Sequence, residues 1–474
     1  MTIEERLAAA EARIADLEAL LAQQSAYIRE LEGRAAKDSH NSSKPPSSDG
    51  LRRKTKSLRQ PSGKKPGGQL GHRGETLRLQ AAPDAVVEHR PAVCGQCQAP
   101  LSDVPGAEVV LRERRQVHDL PPVRLVVTEH QALHVRCPAC HAVSVGAFPA
   151  EAPSRAQYGP HLRALAVYLS EEQVGPLGRV QALLSDVFSV QLGRGTLVRW
   201  IQQAAAVLAP VEEQIKAALR QAPVLHVDET GVRRGGRLAW AHVASTPHVT
   251  HFAVHAQRGN AATDAIGILP GFRGVSVHDG WASYQRYAGC RHALCNVHHL
   301  RELTFLEEEE HQAWAKDLKE LLLAMRTAAE QARTQGWAQV PEMPRLALHR
   351  QYRAVLAAGR AANPPPERAR RPGQRGRRAQ SPTRNLLDRL TLHEDQVLAF
   401  LDDLAIPFDN NQAERDLRGF KIQQKISGCF RSDPGALAYA RIRGYLATMR
   451  KQGRALLAAL ETVFTGQPLA PEFA

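Results

Sequence analysis

The sequence holds no apolar run approaching the ~20 residues that a bilayer-spanning helix needs, so an integral membrane protein of the helical kind is not expected. Its charged N-terminal stretch lacks the apolar centre of a secretory signal. Cysteine is sparse: there are seven in 474 residues. Four of them form two CxxC pairs, which is not the dense framework of a small secreted domain. The expectation is a soluble protein of a reducing, cytoplasmic compartment. Acid is in deficit too. Against 62 Lys and Arg stand 48 Asp and Glu, a formal net charge of +14. A surplus of that size calls for a polyanionic partner and says little about fold. Nucleic acid is the first candidate and an anionic membrane surface the second. The length allows roughly two to four domains, each able to bury a core.

What is present begins with a heptad seam. Ile3, Leu7, Ala10, Ile14, Leu17, Leu21, Gln24, Ile28 and Leu31 step by four and three residues, about four repeats. Thr2 with Glu5 fits a capping box at the start. So narrow a stripe suits pairing with another chain, although one amphipathic helix folded onto the body gives the same pattern. Gln24 at a core position weakens such a seam while fixing its register. From Asp38 to Thr76 the composition turns to Ser, Pro, Gly and base. The paired prolines of His40-Asn-Ser-Ser-Lys-Pro-Pro-Ser-Ser-Asp49 exclude a helix. Between Leu51 and Gly74 lie eight Lys or Arg and no acid, among them Arg52, Arg53, Lys54, Lys64 and Lys65. This reads as a solvated linker that can also touch phosphates without reading sequence.

Cys94-Gly-Gln-Cys97 and Cys137-Pro-Ala-Cys140 each offer two sulfurs from one tight turn, the donor set of a structural Zn²⁺ bound by four thiolates. Strand-like residues lie between them (Val109 to Leu111, Leu125 to Thr128). His134 and His141 read as bystanders. Residues 158 to 220 read as successive helices. Pro176 to Gln203 has a helix-turn-helix-like form, which many helical hairpins share without touching DNA.

From Ala222 the period becomes strand-like. Val224-Leu-His-Val227 is a short buried-strand run ending at Asp228. Leu238 to Ser245 and Val249 to His255 read as two more strands, residues 260 to 269 as a helix, and Gly274 to His278 as a strand ending at Asp279. Strand, strand, strand, helix, strand is the order of a ribonuclease-H-like sheet. Two aspartates at strand ends can share a divalent metal there, and Gly280 lets a phosphate backbone approach. Either Asp alone also reads as a turn residue or helix cap. A third acid is suggested by Pro407-Phe-Asp-Asn-Asn-Gln-Ala-Glu-Arg-Asp-Leu-Arg418. Asp409 can cap a helix whose Ala413, Leu417 and Phe420 form an apolar stripe. Glu414, Arg418, Lys421 and Lys425 then share another face. By periodicity alone, a solvated face with an i,i+4 Glu–Arg pair is the simpler reading.

Taken in order, the motifs carry more. The heptads, the His40–Asp49 stretch, Pro66-Gly-Gly-Gln-Leu-Gly-His-Arg-Gly74 and the CxxC pairs come first. Val227-Asp-Glu-Thr230, His278-Asp-Gly-Trp281, Cys295-Asn-Val-His298, Asp409-Asn-Asn-Gln-Ala-Glu-Arg415 and Ile426-Ser-Gly-Cys-Phe-Arg431 follow. Together they resemble the DDE transposases of the insertion-sequence-sixty-six family from end to end. The resemblance implies Asp228, Asp279 and Glu414 as an acidic triad binding Mg²⁺ (or Mn²⁺), and double-stranded DNA, at element ends and target, as the substrate. It also implies a helical insertion between the second Asp and the Glu, and companion proteins encoded by the same element. Cys295 and His298 resemble a signature of several such enzymes; two ligands make a poor zinc site, and a structural contact near the active centre is expected.

The expected chain is thus multidomain α+β and nucleoid-associated, a homo-oligomer through its coiled coil (1–35). A flexible basic linker (36–85), a zinc-ribbon-like module (86–150) and a helical domain (151–220) follow. A ribonuclease-H-like α/β core (221–299 and 383–430) is interrupted by an all-helical insertion (300–382), and C-terminal helices (431–474) close it. The insertion ends in a stretch, Asn363 to Arg384, with seven Arg and one Glu, either a disordered loop or a phosphate-contact arm. A catalytically silent DNA-binding regulator and a nuclease without strand transfer are the competing classes.

Overall fold

A computed structural model of the chain describes residues 2–38, 40–42, 71, 77–101, 109, 113–120, 123–365 and 380–473. Two compact units emerge, Arg59–Val127 and the remainder of the chain, residues 1–58 with 128–474. In the smaller unit, residues 92–101 form a closed turn in which Leu101 N–H donates to the Ala92 carbonyl at 2.9 Å. No strand forms among the described residues of 109–111 and 125–128, where two were expected. The basic residues Arg52, Arg53, Lys54, Lys64 and Lys65 lie outside the described residues.

The larger unit opens with α1 (Ile3–Ala36), an uninterrupted helix of 34 residues. Its seam residues Leu7, Ile14, Leu17, Leu21 and Ile28 are all more than half exposed. Among the described residues, its contacts with the body lie at its foot. Lys37 Nζ lies 5.0 Å from the centre of the Phe305 ring, His40 Nε2 lies 3.1 Å from a Glu308 carboxylate oxygen, and the buried Asn41 side chain donates to the Ala36 carbonyl, capping the helix. A two-stranded hairpin, β1 (His134–Arg136) with β2 (Val143–Val145), comes next.

Helices α2 (Pro160–Val167), α3 (Leu177–Phe188), α4 (Arg194–Val207) and α5 (Ala209–Gln221) follow. Their apolar faces share one core with α14 (Asp433–Lys451) and α15 (Leu456–Phe464). The expected turn between α3 and α4 is present, closed by Ser189 in the left-handed region.

The central sheet has five strands in the order β5-β4-β3-β6-β7, formed by β3 (Val224–Arg234), β4 (Arg237–Ser245), β5 (Thr250–His255), β6 (Val275–His278) and β7 (Arg291–Leu294). The first three pair antiparallel; β6 and β7 extend the sheet in parallel from β3. A helix, α6 (Asn260–Ile266), links β5 to β6. One expectation changes here: β3 does not end at Asp228. It runs on for six residues because β4 pairs with it as far as Arg234.

After β7 come α7 (Asn296–Glu308), α8 (Ala313–Thr334), α9 (Glu342–Ala362), α10 (Pro382–Leu392), α11 (Glu394–Val397) and α12 (Ala399–Asp402). They bury Leu303, Leu318, Met325, Tyr352 and Leu387 in a core shared with Val275 and Val277 of β6. Helix α13 (Asn411–Ser427) then returns to the sheet, setting Ala413, Leu417 and Phe420 against Val232, Ala241 and Val243. Helix α14 crosses β5 closely at Gly444, where an added Cβ would sit 3.2 Å from the Thr250 carbonyl. Among the described residues no helix is long and apolar enough to cross a membrane.

Glu171 gives this unit a titratable stress. It is buried in the π-helical turn after α2, accepting a hydrogen bond from Ser170 Oγ at 3.0 Å, and burial pushes its pKa from an ordinary 4.5 up to about 7. Folding therefore favours the neutral acid. Stability at this position is complete below the unfolded pKa and is lost as pH rises through about 7. Glu171→Gln, a neutral mimic, should raise the urea midpoint more at pH 8 than at pH 5. An equal change at both pH values would show that the buried charge costs nothing.

Candidate active site

Strand register brings the two aspartates together. The last parallel pair of β3 and β6 is His226 with Val277, and two further residues along each chain stand Asp228 and Asp279. Neighbouring strands lie about 4.8 Å apart, so the carboxylates occupy adjacent positions where β6 ends and β3 continues without it. Asp279 Oδ1 accepts the Trp281 N–H at 2.9 Å, and Asp228 Oδ1 that of Glu229 at 2.8 Å. Gly280 makes the intervening turn at φ +90, a conformation that disfavours any side chain.

The third acid comes from α13. Burial, and then the charges of Glu229, Asp279 and Glu414, hold the Asp228 carboxyl well above its usual range. Asp409 and Asp416, the alternatives on the same segment, are engaged elsewhere. Asp416 bonds Lys451 Nζ at 2.8 Å. Asp409 accepts the Asn411 N–H at 3.0 Å, one residue ahead of the cap position. Glu414 Oε1 is buried without a hydrogen-bond partner. Asp279 and Glu414 thus both act on Asp228 through their charges.

Arg258, Tyr284, Trp240 and His292, which sequence reading did not single out, join Glu229, His278 and Trp281 of the quoted motifs in framing these acids. Glu229, buried beside Asp228, receives Arg258 at 2.7 Å and the Tyr284 hydroxyl. The Arg258 guanidinium lies 4.1 Å from the Trp281 ring centre and 4.9 Å from that of Trp240. His278 Nδ1 accepts the Gly280 N–H, and its Nε2 meets His292 Nδ1, each at 3.0 Å. Burial drives its pKa down to about 3, so the ring stays neutral and fixed.

Residues 155–438, well over half of the chain, match the family described as Transposase IS66 family. The chain belongs to that family. Transposases of this family are enzymes that cut and transfer DNA. Residues 2–78 also match a family of unknown function. An uncharacterized protein, y4jO, of Sinorhizobium fredii is 38% identical over 68 residues, covering 14% of this chain and 21% of that protein. The chain thus matches only about a fifth of that relative's length.

In this IS66-family chain the basic ridge follows Glu414 directly: Arg418, Lys421 and Lys425 are exposed along α13, with Lys421 Nζ donating to the Gly231 carbonyl at 3.0 Å. The two CxxC turns, each taken by itself, are built alike. Cys94 N–H donates to Ala99 and Gln98 N–H back to Cys94; Cys137 N–H donates to Ala142 and His141 N–H back to Cys137. Gln98 and His141 both adopt positive φ. In each turn the backbone N–H of the second cysteine lowers the first cysteine's pKa.

Asn410 joins the parts of the site. Its Oδ1 lies 2.8 Å from His226 Nδ1, its Nδ2 donates to the Val227 carbonyl at 2.8 Å, and its backbone N–H donates to Cys295 Sγ at 3.2 Å. One buried amide thus ties the strand of Asp228 to the helix of Glu414. Asn410→Ala leaves buried partners unsatisfied and should cost about 1–3 kcal/mol. A urea midpoint unchanged from wild type would exclude this clasp.

Proposed function

We propose that this protein is a DNA transposase that cleaves the ends of its element and joins them to target DNA, using Asp228, Asp279 and Glu414 to hold divalent metal. The observation that carries the reading is that the charges of Asp279, at the end of β6, and Glu414, on α13, both act on the buried Asp228 of β3, in a chain of the IS66 transposase family. Sheet order and pairing directions support a ribonuclease-H-like core. The three acids would hold Mg²⁺ or Mn²⁺, which when bound activates the attacking oxygen and stabilises the leaving one. The chain's own residues position the site: Trp281 N–H orients Asp279, Asn410 fixes the start of α13, and Arg258 neutralises Glu229. Arg418, Lys421 and Lys425 supply phosphate contacts beside Glu414, and the basic linker adds contacts that read no sequence.

The CxxC thiolates are assigned to structural Zn²⁺, on the spacing within each pair and on the likeness of the two turns. The exposed seam of α1 is assigned to a second copy of this chain.

Two outcomes are expected. Asp228→Asn, Asp279→Asn and Glu414→Gln should each lower Mg²⁺-dependent end cleavage at least about a thousandfold, since a metal's charge stabilisation is worth several kcal/mol. Binding to element ends should persist. Asp409→Asn keeps an oxygen for the Asn411 N–H and is the matched control; Glu229 and Asp416 are unsuitable because each anchors an ion pair. Full cleavage by Glu414→Gln would remove it from the triad, and cleavage without joined products by the wild type would indicate a nuclease. Separately, Leu17→Lys with Leu21→Lys should convert an oligomer to monomer in light scattering. A monomeric wild type at high concentration rules the seam out as an interface.

A further inference from the structure

Cys295 immediately precedes α7 and His298 lies in its first turn. From sequence this pair offers two ligands and no third. The fold supplies one, because α13 brings Glu414 to the same place. One donor atom from each of Cys295, His298 and Glu414 lies within 4.8 Å of the others. The His298 Nε2 to Glu414 Oε1 distance is 3.8 Å, too long for a hydrogen bond. Tetrahedral Zn²⁺ with bonds of ~2.0–2.3 Å sets its ligands on the order of 3.3–3.8 Å apart, so small closures of the side chains would suffice.

Two further observations point to an occupant. Glu414 Oε1, the atom that faces His298 Nε2, is buried with no hydrogen-bond partner, and native structures rarely leave such an atom unpaired unless water or an ion completes it. Cys295 is buried at 1% exposure, yet its sulfur accepts the Asn410 N–H at 3.2 Å. An amide N–H aimed at sulfur is the outer-shell support that a metal-bound thiolate uses.

We propose that Cys295, His298 and Glu414 form a site for a borderline-soft divalent transition metal, Zn²⁺ in the first instance, with an open fourth position. A donor set of one sulfur, one nitrogen and one oxygen selects against Mg²⁺, which demands oxygen ligands. Three protein ligands with an open position is the pattern of reactive zinc sites, in contrast to the closed set expected of the CxxC turns. The ligand set stands on this geometry whether or not the acid triad is catalytic. If the triad is catalytic, the two sites share Glu414.

The test is zinc content of the full-length protein after equilibrium dialysis against Zn²⁺ in excess Mg²⁺, with Co²⁺ as a spectroscopic substitute. His298→Gln and Cys295→Ser should each lose one equivalent of zinc per chain relative to wild type, and Cys97→Ser should retain that equivalent. The Cys295→Ser protein should also lack the sulfur-to-cobalt band that survives in Cys97→Ser. Circular dichroism checks folding. Should Cys295→Ser unfold, His298→Gln carries the comparison, because His298 is partly exposed and truncating it disturbs no hydrogen bond. Wild-type zinc content in folded His298→Gln would overturn the site and leave an electrostatic contact only. Unchanged zinc in Glu414→Gln, with cleavage lost, would overturn the shared ligand while sparing the carboxylate reading.

Discussion

Like charges gathered at one end of a sheet repel, and the arrangement of this molecule turns on that repulsion. At 4 Å two unit charges interact by about 1 kcal/mol in water and about 4 kcal/mol at the effective dielectric of a protein. Asp228 feels Glu229, Asp279 and Glu414 together, inside a partly buried site. Arg258 is committed to Glu229 by a 2.7 Å contact and held over Trp281. The strain left on Asp228 is relieved by a proton or by a divalent cation. Under the function proposed for this chain, that cation would be the metal the three acids hold.

Keeping such groups together requires rigid elements, since a side chain on a loose loop would swing away. Asp228 sits inside a strand that β4 pairs on one side from His226 to Arg234. Helix α13 is fixed to the sheet by Phe420, whose ring centre lies 5.2 Å from Phe252, 5.1 Å from Tyr439 and 6.3 Å from Phe430. Edge-on aromatic contacts of this kind add directional preference to burial. Glu414, one turn into α13, inherits that placement.

Much of this was legible in the sequence, and the failures have physical reasons. β4, β5, α6 and β6 were readable because alternation and turn residues agree with their final pairing. Asp228-Glu-Thr-Gly looked like the end of a strand because polar residues and glycine usually mark one. Here β4 supplies partners across that stretch, and Val232 beyond it is buried at 1% exposure. β7 escaped notice because it is four residues long and begins with Arg291 and His292, too little for a period. Periodicity could not choose among Asp409, Glu414 and Asp416. Only tertiary contacts separate them: Lys451 takes Asp416 and the backbone of Asn411 takes Asp409. The Arg258–Glu229–Tyr284 cluster and the third partner of Cys295 and His298 are long-range contacts without a local signature.

The helical insertion raises a final question of architecture, since it separates Asp279 from Glu414 by far more chain than the site itself needs. Its two ends are pinned to each other. Asn296 N–H donates to the Phe408 carbonyl at 3.1 Å, and Asn410 N–H donates to Cys295 Sγ at 3.2 Å. The insertion therefore leaves the sheet and returns to it at one point. Once the ends are fixed, chain added between them costs only a slowly growing closure entropy, about 0.6 kcal/mol for each doubling of a flexible loop. The insertion also buries its own core against β6, so it does not draw on the contacts that seat α13. Position at the site is set by the pinned ends and the sheet, which leaves the helices between them free to vary without moving Glu414.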